Sequence, residues 1–340
     1  MATIGNTFVN LIDVYKGAGG ADGSIGDVVE VLRQLNPFMQ DAVTAEANMG
    51  TFHRHTIRTG LPDVAWGRLY QGIPQSKSTT QQVDDTTGFV EGLSTVDTRL
   101  LEISPNPAAV RLSEGRAFLE AMAQEVQKGI FYHDTVTSPE RFKGLSARYG
   151  KLGGGGAGNQ IVDGGGVGSD NTSVWAVTHG DNYTTLIHPK GTKAGVTRED
   201  KGEQRTYDAN NNVYYVKEEL FRQHVGVAVR DWRFNGRIAN IDVSDMLAGT
   251  VDLYRLMRQL FYKLQGRRAA KMEDVPEQGR TVIYMNRDVL AALDALGTDK
   301  NNGALQLRPM ELEGMEVMSY RGIPIRETDA LINAEQRVTA

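Results

Sequence analysis

Positions 1, 3, 5 and 12 of a calcium-binding loop pattern are occupied near the middle of the chain by oxygen-bearing side chains: Asp208, Asn210, Asn212 and Glu219. Carboxylate and amide oxygens are ligands that Ca²⁺ prefers. The pattern requires glycine at position 6 for a sharp turn, but Val213 occupies it and begins an apolar run typical of a strand. The segment therefore favours an Asn-rich hairpin turn over a metal site.

The run from Gly150 to Gly168 is rich in glycine, as are loops that bind nucleotide phosphates. Such a loop needs Gly-Lys-Ser/Thr after its glycines and then the N-terminus of a helix. Here Lys151 precedes the main glycine cluster, and no helical pattern follows promptly. We predict a mobile surface loop for this segment.

Histidine and serine patterns give no complete catalytic set. His53 and His55 would share one face of a strand, but no carboxylate or third histidine within several residues completes a metal site. His133-Asp134 lacks the flanking partners of metal phosphohydrolases, and Gly144-Leu-Ser-Ala-Arg148 lacks the last glycine of a nucleophile elbow. The chain has no cysteine. We predict a protein that is not an enzyme and uses no cofactor or metal.

Composition indicates a globular chain that is not built to hold a polyanion tightly. Of 340 residues, 40% are hydrophobic and 23% charged, and the net charge is −5, whereas proteins that bind nucleic acid tightly are usually basic. No stretch approaches the about 18 consecutive apolar residues of a membrane span. The first residues also lack the pattern of a secretory signal. We expect intracellular synthesis, no membrane association and about two domains.

Strand patterns predict a mixed α+β fold with one long hairpin. Two β-prone arms, Phe52–Thr59 and Gly88–Asp97, lie within a segment from Phe52 to Leu101 and are separated by a polar stretch. An isolated hairpin is marginally stable in water. A hairpin of this length therefore indicates another surface to lie on. Further short strands are predicted at 173–178, 183–187, 213–216, 225–229, 230–237, 281–285 and 322–326.

Helix signals predict two long helices. Asn106-Pro107 is a cap followed by proline at the first helical position, and the helix is expected to end near Gly129. Its apolar stripe is Leu112, Gly115, Leu119, Met122, Val126 and Ile130. A second helix is predicted from about Ser244 to Leu264. Shorter helices are expected from Val28 to Leu35 and from Asp288 to Leu296.

Several local strings resemble one branch of the major capsid proteins of tailed bacteriophages, the Hong Kong 97-like family. They are Val29-Glu-Val-Leu-Arg-Gln-Leu-Asn-Pro-Phe38, Thr59-Gly-Leu-Pro-Asp-Val-Ala-Trp66, Gly72-Ile-Pro-Gln-Ser-Lys-Ser-Thr-Thr80, Arg141-Phe-Lys-Gly-Leu-Ser-Ala-Arg148, Val229-Arg-Asp-Trp-Arg-Phe-Asn-Gly-Arg-Ile-Ala-Asn240 and Tyr320-Arg-Gly-Ile-Pro-Ile-Arg326. The strings are distributed along the chain from residue 29 to residue 326, so the resemblance extends over nearly the whole sequence. None contains a catalytic motif.

The resemblance implies an architecture and a function. Residues 1–49 would be an N-terminal arm with a short helix, 50–105 the extended loop, 106–149 the spine helix and the start of the peripheral domain, 150–170 a flexible Gly-rich loop, and 171–340 mostly the axial domain with returning peripheral strands. Whether the connectivity is permuted stays open. The implied function is self-assembly, as hexamers and pentamers, into an icosahedral shell around double-stranded phage DNA.

The same resemblance implies partners and a location. Portal, scaffolding and decoration (cement) proteins are the expected partners, with DNA on the inner face and no sequence-specific binding. The subunit would be made and assembled in the host bacterial cytoplasm and would remain in the virion. Two alternatives stay open: a soluble nucleotide- or metal-dependent hydrolase, and a phage adaptor or tail component.

Interface energy tends to concentrate in Trp, Tyr and Arg side chains. The candidate inter-subunit contacts in the extended loop are Arg54, Arg58, Trp66, Arg68, Tyr70 and Lys77. Some family members crosslink their shells through a Lys-Asn bond, but no matching motif assigns Lys77 that role.

Overall fold

The computed structural model describes residues 36–70, 72–266, 279–298, 308–312 and 315–340. The chain divides into two compact units. Among the described residues, the smaller unit comprises Phe89–Gln127 and Lys193–His224, and the larger comprises those within 36–88, 128–192 and 225–340. The helix predicted over Val28–Leu35 lies outside the described residues.

The described residues form a mixed α+β fold, as predicted. The strands are β1 Thr44–Glu46, β2 Phe52–Gly60, β3 Thr79–Asp97, β4 Ile161–Asp163, β5 Asn171–His179, β6 Thr184–His188, β7 Val196–Tyr207, β8 Val213–Val229, β9 Gly236–Asp242, β10 Arg280–Met285, β11 Arg308–Leu312, β12 Met315–Tyr320 and β13 Ile323–Glu327. The helices are α1 Phe38–Asp41, α2 Thr98–Ile103, α3 Pro107–Tyr132, α4 Leu145–Arg148, α5 Val243–Leu247, α6 Leu253–Lys263 and α7 Arg287–Thr298. Short 3₁₀ turns occupy Gly156–Gln160 and Trp232–Phe234.

The larger unit has a sheet packed under helices. Its strand order is β11-β12-β13-β10-β5-β6 and then the C-terminal part of β8, with β9 and β4 joined beside β5 and β1 parallel to β6. The apolar face of α6, including Leu256 and Leu260, packs against Ile238 and Ile283 of this sheet. On α1, Phe38 contacts the rings of Phe131 and Tyr284 at centroid distances of 5.6 and 5.1 Å.

The smaller unit is a three-stranded arrangement with helical cover. The N-terminal part of β8 pairs with β7 on one side and with β3 on the other. Phe118 of α3 stacks on Phe221 of β8 with centroids 5.9 Å apart. Strand β7 carries charged side chains along most of its length, and nearly all of its residues are exposed.

The predicted start of the spine helix, α3, is correct. Helix α3 begins at Pro107, and Asn106 Oδ1 accepts a hydrogen bond from Ala109 N at 3.2 Å. The helix continues to Tyr132 rather than ending near Gly129. The predicted stripe is wrong at Leu112 and Leu119, which are exposed, whereas its later members are buried: Met122, Val126 and Ile130.

The second long helix was wrongly predicted as continuous. Its segment forms two helices, α5 and α6, because Gly249 adopts a left-handed φ of 76° that a helix interior does not allow. Asp252 then caps α6 by accepting from Arg255 N at 2.9 Å. Leu247, which the stripe predicted as buried, is exposed.

Other predicted boundaries also changed. The two strands at 213–216 and 225–229 are one strand, β8, and the predicted strand at 230–237 contains a 3₁₀ turn in which Arg233 pairs with Asp231. Within the Gly-rich run, Gly156–Gln160 is a 3₁₀ turn and Ile161–Asp163 is strand β4, so a mobile loop is wrong for these residues. The strands predicted at 173–178, 183–187, 281–285 and 322–326 and the helix at 288–296 are confirmed.

Candidate subunit-contact surface

The predicted hairpin exists, but its pairing differs from the prediction. Strand β2 pairs antiparallel with the first half of β3, with Phe52 opposite Thr86 and Arg58 opposite Thr80. The partner of the first arm is therefore Thr79–Thr86, which the sequence presents as part of the polar stretch, and not Gly88–Asp97. An alternating apolar pattern fixes strand pairing only where one face of the strands is buried. Most residues of β2 and of the first half of β3 are not buried, so the sequence carries no such pattern for this pairing.

The hairpin ends in an exposed connection, residues 61–77, which we call the hairpin tip. Every described residue in it is exposed. Six are large and apolar: Leu61, Val64, Trp66, Leu69, Tyr70 and Ile73. Trp66 is 97% exposed and Leu69 91%. Single exposed apolar residues are common on protein surfaces, but a group of them in one segment is typical of an interaction surface.

Two local features shape the tip. Ser76 Oγ donates to the carbonyl oxygen of Asp63 at 2.7 Å, which joins its two sides. Tyr70 adopts a φ of 65°, a left-handed conformation that is uncommon for an aromatic residue. Strained backbone of this kind often accompanies a binding function.

The candidate contact residues occupy two positions on the hairpin. Trp66, Arg68, Tyr70 and Lys77 lie in the tip, whereas Arg54 and Arg58 lie on β2. Arg54 is already engaged within the subunit, because its Nε and Nη2 each donate to the Asp84 carboxylate at 2.7 Å. This hydrogen bonding lowers the pKa of Asp84.

The hairpin root is fixed to the larger unit by a buried carboxylate that sequence reasoning missed. Asp85 is 1% exposed and accepts from Arg148 Nη1 at 2.6 Å and from Val229 N at 3.1 Å. Gly226 allows a close backbone approach, since a Cβ there would lie 2.6 Å from the Thr86 carbonyl oxygen. Arg148 lies in one of the family-like strings, but no sequence signal pairs it with Asp85.

His53 and His55 share a strand face, as predicted, and their ring centroids are 6.2 Å apart. His53 is buried, and burial is the largest cause of the lowered pKa of each ring. The charged neighbours are Arg230 and Arg148 as well as Asp85. Among the described residues, no group of three or more His, Cys, Asp or Glu side chains is arranged to hold a metal ion.

The calcium-like segment forms the β7–β8 hairpin turn. Asp208 Oδ1 accepts from the backbone N of Asn210 and Asn212 at 2.9 and 2.7 Å. Glu219 lies in β8, buried, where Arg198 donates to both carboxylate oxygens at 2.8 and 2.7 Å and Arg111 forms a further ion pair. These contacts confirm the turn, and they engage the carboxylate that the calcium pattern requires.

Comparisons with known proteins agree with this architecture. Residues 20–339 match the family model of major capsid protein GP7. A chain in the near-atomic cryo-EM structure of bacteriophage Epsilon15 is 30% identical, with a TM-score of 0.77 and coverage of 100% of both chains. The bacteriophage JBD30 capsid gives a TM-score of 0.50 at 8% identity, over 89% of this chain and 93% of that chain. No curated protein sequence matches.

The fold and its long hairpin define a phage capsid subunit of the Hong Kong 97-like class. The chain belongs to the major capsid protein GP7 family. It is a structural coat protein of the virion that forms the head shell. No helix among the described residues is long and apolar enough to cross a bilayer.

Proposed function

We propose that the hairpin of β2 and the first half of β3 lies across a neighbouring subunit of the shell. The observation that carries the proposal is the hairpin tip, whose large apolar side chains contact nothing that would bury them in the subunit. Trp66 and Tyr70 are its aromatic anchors, and Arg68 and Lys77 supply charged contacts at its edge. Arg54 and Arg58 contribute from the strand.

The energetics favour an assembly role for the tip. Burying one large apolar side chain stabilises an interface by roughly 1.5–3 kcal/mol before ordering costs. Trp66, Leu69 and Ile73 are exposed in the subunit, so most of that gain is available only on association. A shell repeats the contact many times, and each copy therefore needs only modest affinity.

The further functional proposals extend from the coat-protein role. Subunits assemble as hexamers and pentamers of an icosahedral shell around double-stranded DNA, without enzymatic activity, in the host bacterial cytoplasm. The net charge of −5 supports a container whose wall does not hold DNA tightly. Portal and scaffolding proteins, and a decoration protein, are the proposed partners. The proposed domain ranges are 1–49 for the N-terminal arm, 50–105 for the extended loop, 106–149 for the spine helix and the start of the peripheral domain, 150–170 for the Gly-rich loop, and 171–340 for a mostly axial domain.

A deletion confined to the tip tests the contact. Gly60 lies opposite Thr79, so Asn-Gly can replace residues 61–78 as a two-residue hairpin turn while Asp85 keeps its buried contacts. We expect a folded subunit with an unchanged melting temperature that forms no closed shells by negative-stain electron microscopy.

A matched control removes exposed chain elsewhere. Deleting Gly153 and Gly154, whose Cβ positions meet no atom within 4 Å, should leave shells intact. Normal shells from the tip deletion would contradict the proposal. Rings or tubes from the wild-type protein would instead favour an adaptor or tail role.

A further inference from the structure

The hairpin root contains a group of buried and partly buried titratable side chains that shell formation alone does not explain. We call it the root cluster: His53, His55, Asp85, Arg148 and Arg230. His53 and Asp85 are opposite each other in the β2–β3 register. His53 is 7% exposed, Asp85 1%, and the side chain of His55 10%. All five residues belong to the larger unit.

The surroundings of His53 favour its neutral form. Arg230 Nη2 lies 3.3 Å from Nε2, and the backbone N of Asn48 lies 3.4 Å from Nδ1. Arginine and a backbone N–H are donors only. A neutral imidazole can accept one of these hydrogen bonds, whereas a protonated ring carries N–H on both nitrogens and can accept neither.

His55 lies beside Asp85, a carboxylate that already has other partners. Its Nδ1 lies 3.7 Å from Asp85 Oδ2, and neither ring nitrogen has a hydrogen-bond partner among the described residues. Asp85 already accepts from Arg148 and from the backbone of Val229. The other nearby carboxylate, Asp84, is exposed and bound to Arg54. Protonated His55 would therefore compete with Arg148 for a carboxylate that is already paired.

The charge balance points the same way. With both histidines neutral, Asp85 offsets one of the two cations, Arg148 and Arg230. Protonating both rings adds two positive charges around buried Asp85, the one carboxylate of the cluster, and the burial of His53 and Asp85 makes such an excess costly. We propose that the root cluster is a proton-sensitive attachment: neutral His53 and His55 hold the hairpin root in place, and their protonation detaches it.

The pH window follows from the direction of the two pKa shifts. Both histidine pKa values are lowered in the fold, chiefly by burial. A histidine in the detached root titrates near its ordinary value of about 6.5. The attached state is therefore fully favoured above about pH 6.5 and loses stability as the pH falls below that value, until the lowered pKa values are passed. The inference concerns the root within one subunit and does not depend on where the tip lies.

Hydrogen–deuterium exchange of the full-length protein tests the proposal. After correction for the intrinsic pH dependence of exchange, amides of β2 should exchange faster at pH 5.0 than at pH 7.5. For each histidine, the exchange rate of these amides should rise by up to about tenfold for every pH unit by which the fold lowers the pKa of that histidine. Amides of α6, far along the chain in the same unit, report on global unfolding and should change little.

Variants separate the cluster from other histidines. In H53Q/H55Q the pH-dependent increase should disappear, because Gln stays neutral, whereas the matched variant H188Q should retain it. An equal increase in H53Q/H55Q, or no increase in the wild type, would overturn the proposal. If the double variant does not fold, C2-hydrogen exchange of the wild-type histidines gives both midpoints, and a midpoint at or above about 6.5 for His53 would overturn it equally.

Discussion

Arg237 Nη2 lies 2.8 Å from Glu335 Oε2, and both side chains are almost completely buried. The carboxylate also accepts from Ser173 Oγ and from Tyr132 Oη. Residues 98 positions apart are thereby joined in the interior of the larger unit. Because the charges are desolvated and fully bonded to each other, the loss of one partner leaves the other without compensation.

Replacing Glu335 with Ala should consequently lower the free energy of unfolding by about 3–5 kcal/mol, since Arg237 would remain as a buried charge. Urea denaturation of the subunit measures this change. The control is E140A, which removes an exposed ion-pair partner of Arg141 and should cost about 0–1 kcal/mol. Equal effects of the two variants would show that the Glu335 network does not stabilise the fold.

Gly226 should be the most sensitive glycine at the hairpin root. A Cβ at this position would lie 2.6 Å from the Thr86 carbonyl oxygen and 3.0 Å from Ile187 Cγ1, so G226A forces the root away from β8. We expect a loss of about 1–3 kcal/mol in unfolding free energy. G50A, at an open position without a left-handed φ, should be neutral or slightly stabilising. Thermal unfolding of both variants distinguishes a steric effect from a general effect of replacing glycine.

Acid should weaken the larger unit through His179. Burial lowers the pKa of His179 to about 4, and its Nε2 lies 2.8 Å from Tyr284 Oη. In the unfolded chain the ring protonates near pH 6.5, so its contribution to stability is complete above that pH and is lost as the pH falls toward 4. The loss is on the order of 3 kcal/mol. H179Q should flatten this part of the stability–pH curve, and an unchanged slope would assign the acid sensitivity to other groups.

The tip side chains should affect assembly without affecting folding. W66A/Y70A should melt within about 1 °C of the wild type, because surface changes away from packed contacts have little effect on stability, yet form far fewer shells by analytical ultracentrifugation. Trypsin should cleave free subunits after Arg68 and Lys77, which are exposed, and should cleave them much more slowly in shells. Equal cleavage in both states would place the tip outside the subunit interface.

The sequence predicted elements whose signals are local. Asn106-Pro107 identified the start of α3 because the cap and the missing proline N–H act within one turn. The break between α5 and α6 also had a local signal, Gly249 followed by Asp252, which the continuous apolar stripe outweighed. The 3₁₀ turn at Gly156–Gln160 carries no such signal, since glycine permits many backbone conformations.

The networks that fix the hairpin and the interior could not be predicted, because they join distant residues. Asp85 is one of eight polar residues between Thr79 and Thr87 of β3, and no residue near it in the sequence indicates Arg148 as its partner. Glu335 and Arg237 are likewise ordinary charged residues until the fold buries them together. The tip residues were predicted as candidate contacts from their types, and the structure adds that they are exposed.

Strand β7 has a consequence for the subunit before assembly. It lies at a sheet edge, where no described strand pairs with its outer side, and unpaired edges promote aggregation of β-proteins. Its charged residues, including Glu199 and Lys201, make strand-to-strand association between copies unfavourable. The charged edge therefore opposes pairing of β7 with β7 of another copy and leaves association between coat-protein subunits to other surfaces.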